Sequence, residues 1–184
     1  MRISFLSAAA IILITGPAAA GVTVIGSSSA RLCYEATESR LMPAFDTLRR
    51  CDEALNQEAL SDYDTVATLV NRGIVKLRMG RQQEAIADFD AASKRDPDQA
   101  EAYLNKGLAL LRAGDAWEQA LPLFDTALAK RTRKPALAYF GRAVANELGG
   151  RVKEAYRDYR LASRTDPKWT APRTELARFK VRSQ

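Results

Sequence analysis

Val66 to Gln99 reads VATLVNRGIVKLRMGRQQEAIADFDAASKRDPDQ, Ala100 to Pro135 reads AEAYLNKGLALLRAGDAWEQALPLFDTALAKRTRKP, and Ala136 to Trp169 reads ALAYFGRAVANELGGRVKEAYRDYRLASRTDPKW. The three stretches start 34 and 36 residues apart, and a period of this size marks stacked supersecondary units. Corresponding places carry corresponding residues. Leu69, Tyr103 and Tyr139 stand near each start, and Gly73, Gly107 and Ala143 follow four residues on. Gly80, Gly114 and Gly150 mark a turn; then come Ala85, Ala120 and Ala155, Phe89, Phe124 and Tyr159, and Ala92, Ala127 and Ala162. Apolar residues three and four apart make each half an amphipathic helix. Small residues such as Gly73 and Ala85 let two antiparallel helices approach closely, and Phe89 is expected to fill the space between one hairpin and the next. Gly80 supplies the left-handed backbone that ends a first helix. Asp96-Pro97 and Asp166-Pro167 end a second helix, because the residue before proline is pushed out of helical geometry.

This pattern resembles the tetratricopeptide repeat family, whose unit is a helix-turn-helix. The resemblance covers residues 66–169 and implies an all-α, right-handed superhelical solenoid of antiparallel helix hairpins, with units at 66–99, 100–135 and 136–169. The second unit departs from the pattern. It has an extra residue between Gly114 and Trp117, a longer exit from Lys130 to Lys134, and Pro122 inside its second helix, where a kink is expected. The third has Ala143 in place of glycine.

Outside the repeats, residues 21–65 read as a degenerate N-terminal helical hairpin, with helical Ala30 to Leu41 and Phe45 to Leu60 separated by Pro43. Cys51-Asp52-Glu53-Ala54-Leu55 aligns with Phe124-Asp125-Thr126-Ala127-Leu128, so Cys51 takes the place of the packing aromatic. Cys33 and Cys51 are the two cysteines of the chain and fit no zinc or redox spacing. On facing sides of such a hairpin they can form a disulfide in an oxidising compartment; the alternative is two buried thiols. Residues 170–184 read as a capping helix and tail, with Pro172, Leu176 and Phe179 covering the last hairpin, as a solenoid end requires.

The first twenty residues predict a secretory signal peptide. Arg2 precedes the apolar stretch Ile3 to Ile14, Gly16-Pro17 breaks it, and Ala18-Ala19-Ala20 offers cleavage before Gly21. The apolar stretch is shorter than the roughly 20 residues a bilayer requires. The mature chain is therefore expected to be soluble, not membrane-spanning, and periplasmic or secreted, with a bacterial source.

Arrays of the resembled family bind a peptide or partner segment along the concave face made by the first helix of each unit. By position, that implies Val70, Asn71, Ile74 and Arg78, then Leu104, Asn105, Leu108 and Arg112, then Phe140, Val144 and Leu148. Asn71 and Asn105 recur at one position, and a side-chain amide both donates to and accepts from a ligand backbone; the alternative is that these asparagines merely satisfy neighbouring backbone. Gly141 stands where a carboxylate clamp would want arginine, so a C-terminal carboxylate is not the expected ligand.

Charge divides along the chain. Residues 21–129 hold 12 Lys and Arg against 17 Asp and Glu, whereas residues 130–184 hold 15 against 5, within an overall net charge of +6. The densest basic run is Lys130-Arg131-Thr132-Arg133-Lys134. It suggests a second reading, attraction of an anionic envelope lipid or polymer through residues 130–184. An exported chain without aromatic-interleaved basic motifs is not expected to bind nucleic acid. The chain has no histidine, which removes Ser-His-Asp and Cys-His catalysis. It also lacks phosphate-loop, dinucleotide and metal motifs. Gly26-Ser27-Ser28-Ser29 reads as a helix cap rather than a nucleophile, and paired acids such as Asp88 and Asp90 read as a solvated outer face. No enzyme, cofactor or metal is expected. The leading expectation is a non-enzymatic interaction module or scaffold.

Overall fold

The computed structural model describes residues 20–25, 28–39, 41–114 and 116–179. The expected signal peptide up to Ala19, and Gly26 and Ser27 of the expected cap, lie outside the described residues. In chain order the helices are α1 (Ser28–Ser39), α2 (Ala44–Gln57), α3 (Asp62–Arg78), α4 (Gln82–Arg95), α5 (Ala100–Arg112), α6 (Trp117–Ala129), α7 (Pro135–Leu148), α8 (Val152–Thr165) and α9 (Ala171–Leu176). Among the described residues there is no strand, and none of the helices is long and apolar enough to cross a membrane. Short turns make neighbours antiparallel, and successive hairpins stack into an all-α solenoid.

Local chemistry sets the helix ends. Ser61 caps α3, its hydroxyl accepting from the Asp64 N–H at 3.1 Å, and Pro135 opens α7 without losing a needed donor. Gly80, Gly114 and Gly150 take φ of 75°, 108° and 70°, the left-handed geometry expected where first helices stop. At the end of α6 the left-handed residue is Arg131, with φ of 59°. There the Arg131 N–H reaches Leu128 O and the Thr132 N–H reaches Ala127 O, so the longer exit is a closed turn rather than a loose linker. The first turn of α1 is capped from a distance, by Glu58 Oε1 accepting from the Ser29 N–H at 2.9 Å. Helix α6 runs on through Pro122.

Aromatic rings fill the gaps that small residues leave. A Cβ on Gly73 would stand 2.5 Å from the Phe89 ring, so Phe89 packs against the first helix of its own hairpin. Phe124 lies between Gly107 of its own unit and Gly141 of the next, where Cβ atoms would come within 2.9 and 2.5 Å. In the first hairpin the corresponding place holds the Cys33–Cys51 disulfide, with Cα atoms 4.9 Å apart. Both cysteines are fully buried beside Leu48 and Val75. At the other end, Trp169 packs on Phe140 with ring centroids 4.8 Å apart. Phe179 packs on Tyr156 and Tyr159, and α9 carries the buried Pro172. The last hairpin is thereby covered.

Candidate functional site

Helices α3, α5 and α7 bring the expected concave-face residues together, but the face is not an open groove. Val70, Asn71, Ile74, Leu104 and Asn105 are fully buried, and Leu108, Phe140 and Val144 are nearly so. Phe140 owes its burial to the C-terminal end, where Trp169 and Tyr159 cover it. Over α3 and α5 the cover is the chain itself: residues 20–25 lie in irregular backbone against these helices. Ala20, Val22 and Val24 are buried, Gly21 and Thr23 are half-buried, and Ile25 is 72% exposed. This alternation is that of an extended segment with one face inward.

The main chain of this strap is held by side chains. Asn71 Oδ1 accepts from the Val22 N–H at 2.9 Å, and Asn71 Nδ2 donates to the Val22 carbonyl at 2.8 Å. One repeat along, Asn105 Nδ2 donates to the Ala20 carbonyl at 3.1 Å and to Glu101 O at 2.8 Å. Asparagines one repeat apart thus meet residues two apart in the strap, Val22 and Ala20. Asn105 Oδ1 is buried and has no hydrogen-bond partner. The Gly21 N–H donates to Glu38 Oε1 at 3.2 Å, and the Ile25 N–H donates to Asp64 Oδ1 at 2.8 Å. The ladder stops at Gly141, the next equivalent position, because the Phe124 ring leaves no room there for a side chain.

The C-terminal ends of the first helices stay more open. Arg78 is half-buried, Arg112 is exposed with Nη1 donating to Leu77 O at 3.4 Å, and Leu148 is 51% exposed. An open cleft of about 370 Å³ lies elsewhere, along α2 between Phe45, Leu48, Asp52 and Asn56.

The residues of the basic run have local partners. Lys130 pairs with Asp98 at 2.6 Å. The Arg133 N–H donates to Glu101 Oε1 at 2.8 Å, and its guanidinium donates to Thr23 Oγ1 of the strap at 3.1 Å. The Lys134 N–H turns inward to Thr132 Oγ1. Arg131 is exposed at the closed turn.

The solvated reading is corrected by the structure for Asp88, while Asp90 is exposed as expected. Asp88 is buried and takes Arg72 at 2.7 Å and Lys76 at 2.8 Å; Asp90 pairs with Lys106 of the next hairpin. Arg72 also reaches back to Asp52 at 2.9 Å. Arg142 repeats the arrangement, with Asp158 in its own hairpin and Asp125 in the preceding one, each at 2.7 Å. A cation at one repeat position, Arg72, Lys106 and Arg142, thus stitches neighbouring hairpins. The hydrogen bond to Asp158 raises the Arg142 pKa against the opposing effect of burial. The missed signal was positional recurrence: the cations repeat in the sequence as regularly as the glycines. The strap was legible too, as the period-2 pattern of Val22 and Val24. Glu38, Asp64 and Glu101, which hold it and its neighbours, carry no local signal.

Among the described residues no three His, Cys, Asp or Glu side chains are grouped to hold a metal. The tetratricopeptide repeat model matches residues 70–116 and 116–168. Among solved structures, the chain is similar to MamA 41-end from Desulfovibrio magneticus RS-1, at 23% identity and TM-score 0.64, covering 82% of each chain. It is also similar to the Arabidopsis OM64 TPR domain, at 23% identity and TM-score 0.60, covering 64% of this chain and 96% of that one. The first TPR domain of the human RPAP3 protein matches at 23% identity and TM-score 0.57, covering 61% and 87%. The two family matches span more than half of the chain, and the stacked hairpins, turn glycines and aromatic-to-glycine packing agree with them: the chain belongs to the tetratricopeptide repeat family.

Proposed function

We propose that this chain is a protein-interaction scaffold that takes an extended segment of a partner protein along the face built by α3 and α5. The observation that carries the reading is the Asn71 amide, which accepts from and donates to one residue of extended backbone. Such an amide recognises main chain, and buried apolar neighbours such as Val70, Ile74 and Leu104 supply the rest of the seat. The test is site-specific photo-crosslinking in an envelope extract. A photoreactive residue in place of Arg112, at the open end of the face, should capture partner. One in place of Arg157, exposed on α8, should not. Equal capture from both positions, or capture from Arg157 alone, contradicts the reading.

The compartment belongs to the same proposal. Export, with cleavage after Ala20 into the periplasm or medium, is supported by the leader-like sequence and by the Cys33–Cys51 bond. Cleavage there would turn the Gly21 N–H, which donates to Glu38, into an α-ammonium beside a carboxylate. N-terminal sequencing of the purified protein should begin at Gly21. An intact Met1 form recovered from the cytoplasm contradicts export.

A further inference from the structure

Residues 21–25, which the proposed cleavage leaves on the chain, have the attributes of a groove ligand. They are extended, bury the β-branched Val22 and Val24, and are read chiefly through the main chain. We propose that this strap is a resident, displaceable occupant of the groove, and that the partner's segment is an extended stretch with small or β-branched apolar residues at alternate positions. The inference rests on the groove reading above and specifies what that groove accepts.

Three observations set this chemistry. First, main-chain recognition by Asn71 is indifferent to the side chain that bears the N–H and C=O, so a foreign segment of the same shape makes the same two bonds. Second, the strap leaves the seat incompletely used. Asn71 both donates to and accepts from Val22, whereas Asn105 reaches the segment only at the Ala20 carbonyl, which the proposed cleavage removes, and the buried Asn105 Oδ1 has no partner. A segment that places an N–H opposite Asn105 gains a bond the strap does not make, and an unpaired buried acceptor is costly enough for that bond to decide a competition. Third, Val22 and Val24 sit in one apolar cluster with Val70 and Ile74, so the inward places take small or β-branched apolar side chains. Acidic residues on the inward side are excluded, because they would be buried among apolar groups without a cation.

The strap's own sequence supplies the probe, a peptide of sequence GVTVI with a free N-terminus and fluorescein attached at its C-terminus. In the mature chain, Val22→Asp places a carboxylate in the apolar seat and should expel the strap. A ligand for a site that is open only part of the time binds in proportion to the open fraction. The peptide should therefore bind the Val22→Asp chain roughly tenfold or more tightly than the wild type. Adding Asn71→Ala should abolish the gain. Equal binding to wild type and Val22→Asp overturns the resident-occupant inference and leaves the groove reading standing. Binding to neither, with helical circular dichroism intact, overturns the groove reading and this inference with it. Should Val22→Asp fail to fold, the wild-type chain provides a second readout. Excess peptide should speed exchange of the Val22 amide while Leu104 to Leu108 stay protected, and an unchanged Val22 rate at saturating peptide overturns the inference.

Discussion

Reducing the Cys33–Cys51 disulfide, or replacing both cysteines by alanine, should loosen one end of the solenoid and spare the remainder. The bond closes a loop with a sequence separation of 18. For a loop of this size the restriction of the unfolded chain contributes about 3 kcal/mol. Helices α1 and α2 form the terminal hairpin, with packing from α3 on one side only, and the cluster around the bond is small: Leu48 and Val75, with Ala44 and Met79 at its edge. Little else offsets the loss, and in a stacked array an end unit can open without its distant neighbours. At 1.4 kcal/mol per factor of ten, hydrogen exchange in residues 28–57 should accelerate roughly a hundredfold. Peptides from α5 to α8 should change by much less. Exchange measured by mass spectrometry on oxidised, reduced and double-alanine protein reads both regions together. Uniform acceleration from α1 to α8, or none in α1 and α2, would refute the reasoning.

Arg142→Met should cost roughly 3 kcal/mol in urea unfolding, because buried Asp158 then keeps only the neutral Asn146 amide at 3.2 Å. Arg72→Met should cost about 1–2 kcal/mol less, since Asp88 retains Lys76 at 2.8 Å; equal losses would contradict the stitch as described. Gly141→Ala places a methyl 2.5 Å from the Phe124 ring and should cost about 1–3 kcal/mol by overpacking, despite alanine's better helix propensity; a neutral result in thermal unfolding would show that the ring is free to move. Burial, reinforced by the negative Glu147, raises the Tyr159 pKa above the ordinary 10.0. Its stabilising contribution is complete below pH 10 and is lost above it, where the unfolded chain ionises and the native one does not. Stability should fall by up to about 1.4 kcal/mol per pH unit there, and Tyr159→Phe should flatten that slope.

How much of this was legible in the sequence follows from what each feature depends on. Turn glycines, aromatic-to-small packing and the disulfide are set by contacts within a hairpin or between adjacent hairpins. Their positions recur, so the period exposes them. The asparagines recur as well, and their place on the inner face could be read from Asn71 and Asn105 alone. The identity of their partner could not, because Val22 lies 49 positions from Asn71 and Ala20 lies 85 from Asn105. No local pattern encodes contacts at that separation. Asp88 was misread for a related reason. An acid on a helix looks solvated until the cation of another helix, Arg72, is placed beside it. The partners of the basic run are equally invisible to a linear reading, since Asp98 lies 32 positions from Lys130 and Glu101 lies 32 from Arg133.

The strap seated against α3 and α5 is the central feature of the molecule. Methyl and amide nuclear Overhauser effects in the oxidised, isotope-labelled chain test it directly. The seated strap predicts cross-peaks from the Val22 amide proton to the Asn71 side-chain amide and from the Val22 and Val24 methyls to α3, with both side-chain amide protons of Asn71 slowed in exchange. Random-coil shifts for Val22 and Val24, with no cross-peak to α3 and a freely exchanging Asn71 amide, would contradict it.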